Sequence, residues 1–126
     1  MGLSQLKGRD ILAIADFSTS ELKEVLDLAT QLKRGERKPH CPKILGLLFY
    51  KASTRTRVSF TTAMYQLGGQ VLDLNPSVTQ VGRGEPIEDT ARVLDRYLDI
   101  LAVRTFKQED LETFAQYAQI LSLIHI

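Results

Sequence analysis

The stretch Ile44-Leu45-Gly46-Leu47-Leu48-Phe49-Tyr50-Lys51-Ala52-Ser53-Thr54-Arg55-Thr56-Arg57-Val58-Ser59-Phe60 carries both the fold and its chemistry. Ile44 to Phe49 is a short, unbroken apolar run of the kind that makes a strand covered on both faces. Thr56 to Leu67 reads as a helix, which Gly68-Gly69 stops. Between strand and helix, Ser53 to Arg57 crowds together three hydroxyls and two guanidiniums. A strand-to-helix junction suits an anion, because the first turn of a helix leaves N–H groups unpaired and carries the positive end of the helix dipole. Arginine adds flat, permanently charged forks that match the paired oxygens of phosphate or carboxylate.

Working outward, strand and helix alternate. Before the junction, Ser18-Thr19-Ser20-Glu21 has capping-box spacing, and Leu22, Val25, Leu26, Ala29 and Leu32 recur at helical intervals until Gly35. Arg37 to Lys43, with Pro39 and Pro42, forms the loop into the first strand. After the junction, Val71 to Leu74 is a second short strand, and Asn75 to Glu85 is a polar loop long enough to suggest function. Pro86 to Leu98 reads as a helix with Pro86 in its first turn and Ile87, Ala91, Val93, Leu94 and Tyr97 on its apolar side. Ile100 to Val103 is a third strand ending at Arg104. Gln108 to Ala118 is a further helix carrying Leu111, Phe114, Ala115 and Ala118, and Ile120 begins a fourth strand. The expected fold is a three-layer α/β/α domain with a parallel sheet of about four strands, in the order 2-1-3-4 and incomplete at the C-terminus. Ligands in such sheets sit beyond the carboxyl ends of the strands. The Ser53 cluster, the 75–85 loop and Arg104 are therefore expected to converge on one crevice.

The bulk numbers narrow the classes of function. A chain of 126 residues, 44% hydrophobic, makes one domain that buries roughly two thirds of its unfolded surface. Lys and Arg number 16 against 15 acidic residues, a net charge of +1. That excludes a global basic field for nucleic acid or an anionic membrane, so neither is an expected partner and any anion site must be local. The single cysteine, Cys41, cannot form an internal disulfide and fits a reducing compartment. No apolar run approaches the roughly 18 residues of a membrane span, and the N-terminus shows no signal or transit pattern. The expectation is a soluble, cytoplasmic chain.

Individual polar residues gain weight only in combination. A Ser-Thr-Arg-Thr-Arg string at a helix start is by itself a capped end with surface charge. After a buried strand, with Arg104 ending a parallel neighbour, it reads as a phosphate site. Gly82-Arg83-Gly84 has neither the dinucleotide fingerprint nor a following Walker lysine, which argues against a nucleotide. Cys41 lacks a base partner, and His40 and His125 lack the spacing of metal ligands. Met64, Tyr65 and Leu67 read as helix packing.

The run Ser53-Thr54-Arg55-Thr56-Arg57-Val58-Ser59-Phe60 closely resembles the carbamoyl-phosphate-binding signature of the aspartate and ornithine carbamoyltransferases. The resemblance continues through Gln80-Val81-Gly82-Arg83-Gly84-Glu85-Pro86-Ile87-Glu88-Asp89-Thr90-Ala91-Arg92-Val93-Leu94 and Val103-Arg104-Thr105-Phe106, covering the chain to about Ile120. Gln80 followed by this run is the ornithine-type pattern, whereas aspartate-type members usually carry Ser and Lys in that loop. The resemblance implies that Ser53, Thr54, Arg55, Thr56 and Arg104 bind carbamoyl phosphate, with Arg55 and Arg104 as the catalytic arginines and Arg57 a supporting ion-pair residue. Gln80 would reach the site of a neighbouring subunit in a homotrimer. It further implies attack of the ornithine δ-amine on the carbamoyl carbon, giving citrulline and phosphate in arginine synthesis, with no metal or organic cofactor.

Where the family continues into a His-Pro-x-Gln segment and an amino-acid-binding domain, this sequence reads Leu121-Ser122-Leu123-Ile124-His125-Ile126. The catalytic histidine is therefore not carried over to His125. The expectation is that residues 1–126 are a carbamoyl-phosphate-binding domain only, a fragment without the ornithine-binding domain and inactive by itself. An aspartate-type fragment and a non-catalytic anion-binding module are the alternatives.

Overall fold

Four parallel strands form the expected sheet, in the expected order. In the computed structural model, which describes residues 6–76, 84–105, 107–118 and 122–125, β1 (Ile44–Phe49) pairs with β2 (Gln70–Asp73) along one edge and β3 (Ile100–Arg104) along the other, and β3 pairs with β4 (Ser122–His125). The spatial order is β2-β1-β3-β4. The helices are α1 (Thr19–Lys33), α2 (Arg55–Gln66), α3 (Ile87–Tyr97) and α4 (Gln108–Tyr117). Ile120 lies outside the described residues.

Side chains alternate across a strand, so β1 feeds two cores. Leu45, Leu47 and Phe49 pack with Ala102 of β3 and Met64 of α2 on one face. On the other, Leu48 packs with Leu101 and Val103 of β3, Ala91 of α3, and Leu111 and Phe114 of α4. Leu47, Leu48, Leu101, Val103, Leu111 and Phe114 are wholly excluded from water. Each such large side chain stabilises the fold by about 1.5–3 kcal/mol relative to an exposed one. Gly46 leaves room for this packing: a Cβ there would lie 2.4 Å from Leu98 Cδ1.

Local sequence signals set the helix ends. Ser18 Oγ accepts from the Glu21 N–H at 3.1 Å and Glu21 Oε1 accepts from the Ser18 N–H at 2.8 Å, the reciprocal box expected from the spacing. The Ser18 N–H and then the Arg9 side chain hold the Glu21 carboxyl below the usual carboxylate range. At the far end of α2, Gly68 takes φ +88°. The Gly68 N–H donates to Tyr65 O at 3.0 Å and the Gly69 N–H to Met64 O at 2.9 Å, a Schellman ending that turns the chain directly into β2.

Several elements differ from the expected reading. Helix α2 begins at Arg55 and ends at Gln66, and β2 starts at Gln70. Pro86 caps α3 from outside: its ψ of 141° is not helical, and its carbonyl accepts from the N–H groups of Asp89 and Thr90. Val93 and Tyr97, expected on the apolar side of α3, are 52% and 72% exposed. Helical geometry explains this, since Ile87, Ala91, Leu94 and Leu98 share one stripe while Val93 and Tyr97 sit roughly 100° around the axis. Helix α1 buries no residue fully, and Leu26 faces outward.

These contacts generate two stability predictions. A Cβ at Gly69 would lie 2.7 Å from Lys43 O and 2.8 Å from Cys41 O, backbone atoms that cannot swing aside. Gly69→Ala is expected to lower the unfolding free energy by about 1–3 kcal/mol in urea denaturation. Thr90, 5% exposed, has no partner for its hydroxyl among the described residues. Thr30, Thr61 and Thr113 bond back to the carbonyl four residues earlier, but the equivalent Pro86 carbonyl already accepts two N–H groups. Thr90→Val is expected to raise stability by roughly 1 kcal/mol in the same assay, because a buried hydroxyl that has no partner among the described residues is removed without a change of shape.

Candidate functional site

The chain leaves β1 toward β2 on one side and β3 toward β4 on the other. The gap beyond β1 and β3 is therefore the point where strand order reverses, the usual place for a ligand in an open parallel sheet. Register fixes that place. Phe49 is opposite Arg104, and the Tyr50 N–H donates to Arg104 O at 2.8 Å, so the ends of β1 and β3 are held side by side.

An open pocket of about 540 Å³ lies there, lined by Ala52, Ser53, Thr54, Arg55, Thr56 and Arg104. Five of the six expected site residues are thus brought together; Gln80 lies outside the described residues. Arg104 reaches back across the pocket, its Nη1 3.5 Å from Ala52 O. Thr54 sits in a right-handed helical conformation and makes no side-chain cap. The first-turn N–H groups of α2 are therefore left to other acceptors. Three hydroxyls, two guanidiniums and a helix start can together hold a tetrahedral dianion and stabilise charge growing on an adjacent oxygen.

Arg57 is not part of that wall. Two residues along a helix turn the side chain by about 200°, and Arg57 accordingly points the other way. Its guanidinium ion-pairs with Asp73 at the end of β2, and its Cζ lies 5.1 Å from the Phe49 ring centroid. Its Nε donates to Ser53 O at 3.3 Å. The residue pattern alone placed both guanidiniums in one cradle; helical geometry separates them, leaving the ion-pair role for Arg57.

A second pocket, about 660 Å³, opens beneath the turn between the ends of β1 and β2, with Lys51, Arg57, Asp73 and Asn75 among its lining residues. Asp73 escapes the sequence reading as a site-supporting residue, although an acid inside an otherwise apolar Val71-Leu72-Asp73-Leu74 run is a usable signal. Tyr50 escapes it as well. Partly buried against the α3–α4 core, it has its phenol pushed up to about 12, first by burial and then by the negative charge of Asp110. Cys41 is a free thiol packed on the α2-side core. Among the described residues, no three His, Cys, Asp or Glu side chains gather as a metal site requires, and no helix is long and apolar enough to cross a membrane.

The parallel α/β sheet, with its pocket at the point of strand reversal, defines the class of fold. Residues 9–124 match the family described as aspartate/ornithine carbamoyltransferase, carbamoyl-P binding domain, and the chain belongs to that family. Ornithine carbamoyltransferase of Synechocystis is 77% identical over 119 residues, a match covering 94% of this chain and 39% of the relative. The crystal structure of ornithine carbamoyltransferase from Gloeobacter violaceus superposes with a TM-score of 0.79 at 54% identity, covering 92% of this chain and 38% of that one. Aspartate transcarbamoylase from Trypanosoma cruzi, in complex with carbamoyl phosphate and aspartate, gives a TM-score of 0.87 at 29% identity, covering 99% and 43%. The chain thus spans about two fifths of the length of the relatives it matches.

The Tyr50 environment makes a prediction for alkaline solution. The folded state holds the phenol proton more tightly than the unfolded chain, so this stabilisation is complete below the ordinary tyrosine value of about 10. It is lost as pH rises through about 12. Ultraviolet titration of the four tyrosines is expected to contain one late component, absent from Tyr50→Phe.

Proposed function

We propose that residues 1–126 form the carbamoyl-phosphate-binding domain of an ornithine carbamoyltransferase. The observation that carries this reading is the pocket in which the Ser53–Thr56 turn faces Arg104 across the ends of β1 and β3. In this reading Arg55 and the first-turn N–H groups of α2 hold the phosphate, joined by the hydroxyls of Ser53 and Thr54. Arg104 and Thr56 face the carbamoyl oxygen. The ornithine δ-amine attacks the carbamoyl carbon; the C–N bond forms, charge collects on the carbonyl oxygen, the C–O bond to phosphate breaks as phosphate leaves with that bond's electron pair, and the proton shed by the amine nitrogen goes to the departing phosphate. Guanidiniums already aimed at both oxygens stabilise that charge without reorganising, and holding the donor in one orientation supplies the proximity the amine needs.

Ornithine rather than aspartate as acceptor is supported by the relatives. Those named ornithine carbamoyltransferase reach 77% and 72% identity, against 29% for the aspartate enzyme. The Gln80 pattern agrees. The same reading assigns the ornithine-binding residues to a second domain, Gln80 to a neighbouring subunit's site within a homotrimer, and the enzyme to arginine synthesis in the cytoplasm.

Titration of the purified chain with carbamoyl phosphate, followed by amide shifts, tests the reading. Shifts are expected at Ser53 to Thr56 and at Arg104. Arg55→Ala and Arg104→Ala are each expected to weaken binding roughly ten- to a hundredfold, the worth of a charged hydrogen bond. Absence of saturable shifts in the parent chain would overturn the proposal. Joined to the remaining length of the Synechocystis relative, the chain is expected to make citrulline from ornithine; a preference for aspartate would reverse the assignment of acceptor.

A further inference from the structure

We propose that Arg57 and Asp73 form a strut that sets the orientation of the anion-binding turn, making both positioning residues for the ligand. Contacts from three separate segments meet on one guanidinium. Asp73, opposite Leu47 in the β1–β2 register, pairs with it from the end of β2. The Phe49 ring lies beneath it at 5.1 Å, from the end of β1. Its own Nε donates to the carbonyl of Ser53 at 3.3 Å. The guanidinium is planar, so a fork tied at Asp73 and seated on Phe49 leaves Nε one direction in which to point. That direction fixes the Ser53–Thr54 peptide, the first peptide of the turn that lines the anion pocket.

The strut works from the opposite side of the turn. Arg57 and Asp73 line the pocket beneath the turn and do not line the one formed by Ser53 to Thr56 and Arg104. They act on a bound anion through the Ser53 carbonyl. A turn held in the binding orientation before the ligand arrives does not have to be ordered by it, and that saving appears as affinity. An ion pair this exposed, with side chains 27% and 48% accessible, contributes little to global stability. Its consequence is therefore local. The strut rests on the carbamoyl-phosphate reading for its ligand, but its effect on the turn exists without one.

Two measurements on the 126-residue chain separate these claims: amide hydrogen exchange of residues 53–56 without ligand, and the Kd for carbamoyl phosphate. Asp73→Asn and Arg57→Ala are each expected to speed exchange at the turn and to raise Kd about tenfold, with the urea midpoint little changed. The double variant is expected to be no worse than either single one, because both substitutions remove the same strut. Arg57→Lys keeps the charge opposite Asp73 but cannot also bond Ser53, and is expected to resemble Arg57→Ala. Exchange at 53–56 unchanged within about twofold in Asp73→Asn, additive effects in the double variant, or full rescue by lysine would each overturn the strut. Should the parent chain bind no carbamoyl phosphate, the functional reading fails, and the exchange rates still decide whether Arg57 and Asp73 order the turn.

Discussion

Everything in this molecule depends on β1 being hydrogen-bonded along both edges and covered on both faces. A strand so placed has no freedom to slip, because a shift of one residue would exchange Leu47 for Leu48 between two cores of different shape. Its exit is consequently fixed. The turn at Ser53 begins a set distance past Phe49, beside Arg104 on one edge and Asp73 on the other. The pocket is built on the most constrained strand of the sheet while remaining open to solvent, which combines a rigid support with access for a charged ligand.

The electrostatics follow the same geometry. The chain is nearly neutral overall, so attraction for an anion has to be concentrated, and the helix start with Arg55 and Arg104 concentrates it. Arg57 contributes a positive charge close by, but Asp73 meets it. One arginine thus faces the anion pocket and the next, two residues later, faces a carboxylate. Helical rotation sorts two chemically identical side chains into different tasks. Placing both on one anion would add repulsion between guanidiniums without adding a second independent support for the turn.

Much of this architecture is legible in the order of the residues. The Ile44 to Phe49 run, the Ser18 box and the Gly68-Gly69 stop are local signals, and each element forms where its residues suggest. The parallel order follows from alternation of strand and helix. Where local pattern misleads, the cause is shared. Val93, Tyr97 and Leu26 are apolar residues near an apolar stripe, and only the neighbouring elements decide which edge of a stripe is covered. Pro86 is compatible with both the first helical turn and the cap, and the chain's entry direction selects the cap. Asp73 and Tyr50 carry no motif of their own; their roles arise from what lies across the sheet.

The sequence by itself determined the strand and helix inventory and the group of residues that could serve an anion, because these depend on periodicity and on residues adjacent in the chain; the family came from the resemblance of the Ser53–Phe60 and Gln80–Leu94 runs to known motifs. Strand order already set Arg104 toward the Ser53 cluster, and the resemblance gave Arg57 an ion-pair role; only the tertiary structure decided that Arg104 stands opposite Phe49 with its Nη1 toward Ala52 O, and that Asp73 is the partner Arg57 meets on the other side of the turn. Those outcomes depend on strand register and on helix rotation against a packed sheet. Both are set by burial of Leu47, Leu48 and their partners from distant parts of the chain, not by the residues that do the binding.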